Sequence, residues 1–164
     1  MSHHSSQEEF LSLVHRHQGI LHKISFAYSN NKADREDLQQ EMVLQLWKSF
    51  PNFREQSSFS TWMYRVALNT AINQTKKNSI LVNTPEPVDP PAEDPGIGEL
   101  SEKIQLLYQA IYRLGKIDRA IILLWLEEKS YGEIGSIIGI TEKNVSVRLV
   151  RIKARLAEIY SKLG

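Results

Sequence analysis

The chain contains no cysteine. That excludes disulfides, a thiolate nucleophile and cysteine-ligated zinc. No uninterrupted apolar run approaches the length of a membrane-spanning helix. No glycine-rich loop of the kind that cradles phosphates is present, no nucleophile has a recognisable base beside it, and the carboxylates fall on helix surfaces, so an enzyme finds no support. Net charge is also nearly missing, at +1, but its distribution is uneven. Residues 1–78 carry nine Lys and Arg against seven Asp and Glu, residues 79–98 carry none against four, and residues 99–164 carry eleven against eight. The polar start Met1-Ser2-His3-His4-Ser5-Ser6 runs directly into helical periodicity and does not read as a secretory signal, so a cytoplasmic protein is expected.

Proline is scarce except in one place: five of the six fall between Pro85 and Pro95. Proline removes amide donors and holds the chain extended, so residues 79–98 read as a linker between two small domains, residues 7–78 and 99–164. The acidity of the linker fits either solubility or mimicry of a nucleic-acid strand in a basic channel.

Both flanking domains read as all-α. Phe10, Leu13, Val14, His17, Leu21, Ile24 and Tyr28 keep one apolar face and predict a helix over residues 8–29. A second helix is expected from about Asp34 to Phe50, closed by Pro51, with Arg35, Gln39, Gln40 and Glu41 outside its apolar stripe. The third has two specialised faces. Phe59, Trp62, Met63, Val66 and Thr70 form a buried stripe, while Arg65, Asn69, Asn73 and Lys76, at i, i+4, i+8 and i+11, align donors along the other side. That polar row fits a solvated face or a surface for phosphates and base edges. The loop 51–57 before it holds an aromatic, a guanidinium and side-chain amides, the equipment for gripping an unstacked base, with Ser58 or Ser60 available to cap the helix.

After the linker, shorter helices are expected over Leu100–Leu114 and Ile117–Leu126, followed by a helix-turn-helix. Ile134, Ile137 and Ile138 bury its first helix, Gly139 makes the turn and Thr141 caps the second. Val145, Leu149, Ile152, Leu156 and Leu163 point inward on the last helix, with Lys143, Arg148, Arg151 and Arg155 on its outward flank, a layout suited to a major groove and equally to a trihelical core without DNA. The five histidines all lie within the first 22 residues, but without an acidic or cysteine ligand nearby they read as solvated or half-buried imidazoles; no metal or cofactor is expected.

Two strings carry a family resemblance: Asp37-Leu38-x-Gln40-Glu41-x-x-Leu44-x-Leu46-Trp47 and Phe59-Ser60-Thr61-Trp62-x-Tyr64-Arg65-x-Ala67-x-Asn69. With the linker and helix-turn-helix that follow, the chain resembles the extracytoplasmic-function group of the sigma-70 family, region two joined directly to region four. The resemblance implies a promoter-recognition subunit that binds core bacterial RNA polymerase and promoter DNA, has no chemistry of its own, and is commonly held by an anti-sigma factor. It implies polymerase docking by Asp37, Leu38, Gln40, Glu41 and Leu44, and capture of an extruded minus-ten base by Asn52, Phe53 and Arg54. Trp62, Tyr64, Arg65 and Asn69 would meet and open that element, extended by Asn73 and Lys76. Thr141, Glu142, Lys143, Asn144, Ser146, Arg148, Arg151 and Arg155 would read the minus-thirty-five duplex.

The chain departs from the family in its last helix, where Ser146-Val147-Arg148-Leu149-Val150-Arg151 stands in place of a Lys-Ser-Arg-Leu-His-Arg string. One cation and one histidine fewer predict weaker, less salt-dependent DNA binding, and Val147 and Val150 fit thymine methyls or an inhibitory partner. Gly115-Lys116 replaces a Leu-Pro step and Gly135 a small alanine, both expected to loosen the backbone. The alternative function is a regulator that binds duplex DNA through the helix-turn-helix without docking on polymerase.

Overall fold

The computed structural model describes residues 3–53, 55–81 and 102–164, with side chains at 6–53, 55–74 and 102–164. The described residues form eight α-helices and one 3-10 turn: α1 His3–Arg16, α2 Gln18–Tyr28, α3 Lys32–Ser49, the turn Phe50–Asn52, α4 Phe59–Leu81, α5 Glu102–Tyr112, α6 Lys116–Leu126, α7 Tyr131–Ile138 and α8 Glu142–Leu163. None is long and apolar enough to cross a membrane. The expected linker lies outside the described residues except at 79–81, where α4 continues. The next proline after Pro51 is Pro85, so no proline interrupts α4 at 79–81.

The helix expected over 8–29 is two helices. His17 leaves helical geometry at φ −111° and ψ 21°, its Nδ1 lies 2.9 Å from the Leu13 carbonyl oxygen, and Gly19 follows. A side chain that satisfies a carbonyl of the preceding turn, next to a poor helix former, ends one helix and starts another. Four other starts follow capping chemistry: Asn31, Ser58, Ser130 and Thr141 each accept a backbone N–H three residues on, at 2.8, 3.2, 3.1 and 3.2 Å.

α2, α3 and α4 bury Leu21, Ile24, Leu38, Met42, Leu46, Met63 and Leu68, while α5 to α8 bury Ile111, Ile121, Leu124, Ile134, Val145 and Leu149. Each such side chain contributes about 1.5–3 kcal/mol. The two groups share one continuous core, because α2 packs on α3 and α4 and also on α5 and α6. At the seam the Tyr28 hydroxyl donates to the Lys116 carbonyl at 2.6 Å. Arg119 lies over the Tyr28 and Tyr112 rings at 5.3 and 4.8 Å and its Nε donates to the Leu114 carbonyl at 2.8 Å. Phe26 meets Tyr108 at 6.2 Å between ring centroids, and Lys23 pairs with Glu127.

Arg35, expected outside the apolar strip of α3, is 3% exposed, with its guanidinium 4.7 Å from the centroid of the Phe26 ring. The ring face compensates part of the cost of desolvating the cation.

Burial raises the pKa of Tyr28, with Arg119 opposing. Burial also raises Tyr64, helped by Glu127 and Tyr108, and pushes Tyr108 up to about 12, helped by Glu127. These groups ionise near pH 10 when unfolded. Their contribution is therefore complete below about pH 10 and is lost as pH rises toward the folded-state values, at about 1.4 kcal/mol per pH unit for each tyrosine. Denaturant midpoints measured at pH 9, 10 and 11 should fall steeply above pH 10. Tyr108→Phe should make that fall shallower by about one proton, and a flat wild-type profile would contradict the burial of these rings.

Candidate nucleic-acid interface

The surface around the start of α4 is built on an aromatic cluster. The Phe53 backbone N–H closes the 3-10 turn on the Phe50 carbonyl at 3.0 Å. This brings Phe50, Phe53 and Phe59 around Trp62, with ring centroids 6.2, 5.1 and 5.4 Å from it. Trp62 is only 9% exposed, so it is the floor of the cluster and not a free recognition side chain.

Beside this cluster lies an open cavity of about 850 Å³. Trp47, Phe50, Phe53 and Phe59 form its aromatic wall, Ser6, Glu9 and Leu13 of α1 face them, and Pro51, Glu55, Ser57 and Ser58 complete the rim. Glu55 sits at φ 57°, left-handed geometry that a residue other than glycine adopts at a cost of about 1–3 kcal/mol and that concentrates at binding loops. Asn52 is exposed and Phe53 half-buried beside the cavity; Arg54 lies outside the described residues. The contributions of Trp47, Phe50, Phe59 and α1 were not anticipated. The spacing of aromatics at 47, 50, 53 and 59 was the available signal.

Arg65, Asn69 and Asn73 are exposed along one face of α4. Lys76 follows on the same helix, its side chain outside the described residues. Tyr64 departs from expectation: it is 1% exposed, turned toward Glu127 and Tyr108 of the C-terminal half. The seam reaches two more residues of this helix start. Lys129 Nζ donates to Thr61 Oγ1 at 3.4 Å, and Arg65 Nη2 donates to Ser136 Oγ at 3.5 Å.

On α3, Asp37, Gln40 and Leu44 are exposed, and Glu41, half-buried, accepts from Gln45 Nε2 at 3.0 Å. Leu38 is 3% exposed. The resemblance assigns it to docking, and in the fold it packs in the apolar stripe of α3 with Met42 and Leu46.

The helix-turn-helix forms as expected, with Gly139 at φ 89° ending α7. Gly135 does not loosen this turn. A Cβ there would lie 2.5 Å from the Ile140 carbonyl oxygen, and the Gly135 carbonyl accepts from the N–H groups of Gly139 and Ile140 at 2.8 and 3.0 Å. On α8, Glu142, Lys143, Asn144, Ser146, Arg151 and Arg155 are exposed, and the Thr141 hydroxyl is engaged as the cap. Arg148 turns back, half-buried, 3.8 Å from Asp118 of α6.

Comparison with known proteins bears on these surfaces. Residues 13–80 match Sigma-70 region 2 and residues 104–156 match Sigma-70, region 4. The chain is 27% identical to the ECF RNA polymerase sigma factor SigE of Mycolicibacterium smegmatis over 157 residues, covering 92% of this chain and 61% of that protein. It is 26% identical to the ECF RNA polymerase sigma factor SigM of Mycobacterium tuberculosis over 157 residues, covering 94% of this chain and 79% of that protein. The chain thus spans about three fifths of the first relative and four fifths of the second. Its fold is similar to that of the sigma factor RpoE of Bartonella quintana, solved with the anti-sigma factor NepR. The TM-score is 0.72 at 21% identity over 96% of this chain and 97% of that one, a likeness of fold.

The close approach at Gly135 has a direct test. Gly135→Ala should destabilise the fold by about 1–3 kcal/mol, because the methyl meets backbone that cannot rotate away. Gly132→Ala, whose Cβ would meet only the Glu142 side chain at 3.8 Å, should cost nothing comparable. Equal thermal midpoints for the two variants would contradict the geometry of the turn.

Proposed function

The chain belongs to the extracytoplasmic-function group of the sigma-70 family, and from that premise we propose that it binds core bacterial RNA polymerase and directs transcription initiation from specific promoters in the cytoplasm. One observation carries the reading: a single chain holds, in order, an aromatic-walled cavity beside a polar helix ridge and a capped helix-turn-helix with an exposed basic flank. The first suits one separated DNA strand and the second suits a duplex.

In this reading the exposed Asp37, Gln40 and Leu44, with Glu41 at their edge, dock on polymerase, and Leu38 holds their helix in place. Asn52, Phe53 and Arg54 receive an extruded base at the cavity. Stacking on its aromatic wall is worth roughly 1–3 kcal/mol per base, against a few kcal/mol for unpairing. Trp62 supports that wall from below. Arg65, Asn69, Asn73 and Lys76 follow the exposed strand, and Tyr64 joins them only when the two halves separate. Glu142, Lys143, Asn144, Ser146, Arg151 and Arg155 meet the upstream duplex, Thr141 caps their helix, and Arg148 fixes its angle through Asp118. The work is binding and strand separation, with no bond-making step and no cofactor. A protein inhibitor of the anti-sigma kind would act by covering these same surfaces or holding the closed arrangement.

Size-exclusion chromatography with purified bacterial core polymerase tests the proposal. The wild-type chain should co-elute with the core. An Asp37→Lys/Leu44→Ala double variant, altered only at exposed positions, should melt as the wild type does and elute separately. If the wild type, free of co-purified protein, stays apart from the core, the polymerase role fails and a duplex-only regulator takes its place.

A further inference from the structure

The outward ridge of α8 differs from the row of cations its sequence implies. Opposite the buried Val145, Leu149 and Ile152, the exposed positions run Lys143, Val147, Val150, Arg151 and Ala154. Val147 is 48% exposed and Val150 67%, the largest value for any large apolar side chain among the described residues. Two neighbouring cations are turned toward the domain: Arg148 pairs with Asp118 at 3.8 Å, and Lys153 Nζ lies 4.6 Å from the centroid of the Trp125 ring. What remains outward is two valines one helical turn apart, framed by Lys143, Arg151 and Arg155.

A partner matching this ridge is apolar at its centre and anionic at its edges. The major groove of a duplex is such a surface wherever it holds thymine, because the C5-methyl is its one apolar feature and phosphates line both sides. Residues three apart on a helix rise about 4.5 Å, close to the base-pair spacing of about 3.4 Å, so two valines span neighbouring base pairs. We infer that Val147 and Val150 read thymine methyl groups at adjacent base pairs of the duplex that α8 enters. The inference rests on the DNA-binding role proposed above for this helix.

Uracil lacks only the C5-methyl of thymine, so the test is a paired selection. Two pools of duplexes with the same randomised segment, one amplified with thymidine and one with deoxyuridine triphosphate, are selected with the full chain, alone and with core polymerase. The wild type should enrich thymine at one or two positions and bind the uracil version of those duplexes about fourfold more weakly per methyl removed. Val147→Ala/Val150→Ala, with its melting curve checked, should not discriminate the pools. Equal wild-type affinity for both versions, a variant as methyl-sensitive as the wild type, or no enriched duplex at all would overturn the inference. So would a variant that selects DNA normally but loses binding to a protein inhibitor. Co-elution with the core, scored on the same preparations, separates this outcome from failure of the polymerase role.

Discussion

Both halves of the molecule depend on the burial of α2. Its residues Leu21, Ile24, Ala27 and Tyr28 are removed from water because α3 and α4 lie on one side and α5 and α6 on the other. A helix enclosed in this way tolerates few polar groups, and those present are satisfied locally. The Ser25 hydroxyl donates to the His22 carbonyl at 2.8 Å and accepts from Gln39 Nε2 at 3.0 Å. Burial lowers the pKa of the Arg119 guanidinium, with Tyr28 and Tyr112 opposing. The cation is retained at the seam by two ring faces and a carbonyl.

The same packing decides which surfaces remain for recognition. In the N-terminal half the aromatic side chains are shared between structure and surface: Trp62 packs against Phe50, Phe53 and Phe59, while Trp47, at 41% exposure, stands open at the cavity wall. The polar row of α4 is exposed at Arg65, Asn69 and Asn73, while Thr61, Tyr64 and the tip of Arg65 also reach the C-terminal half. In that half, ion pairing and ring contact draw Arg148 and Lys153 inward, so charge on the last helix is thinner than the count of basic residues implies.

Helix existence, the caps at Ser58 and Thr141, the turn at Gly139 and the alternation of buried and exposed positions on α8 were all legible in the sequence, because each depends on residues within a few positions of one another. The misplacements share a physical origin. Spacing shows that a helix has an apolar face but not how many neighbours cover it. α4 is covered from two directions, so burial extends past the Trp62–Met63 stripe to Tyr64, Leu68 and Ala71. Leu38 belongs both to the string that the resemblance assigns to docking and to an apolar stripe with Met42 and Leu46, and the structure buries it with that stripe. Arg35 fell outside the apolar stripe, and its burial was not legible because the Phe26 ring it packs on lies on another helix. Gly135 looked like a weak point because only the folded turn brings the Ile140 carbonyl against its Cα.

Beyond the apolar packing of α2 and α4 on the C-terminal helices, the seam adds contacts that would be weak between separate molecules, among them one buried hydroxyl, a ring pair, an ion pair at the surface and two long side-chain hydrogen bonds. Residues 82–101 tether the halves, and a covalent tether of that length holds two surfaces at an effective concentration of roughly millimolar. Closure is therefore a joint property of the surfaces and the tether. An insertion or deletion in the connecting segment shifts the closed fraction as surely as a substitution at Tyr28, without changing any contact in the seam.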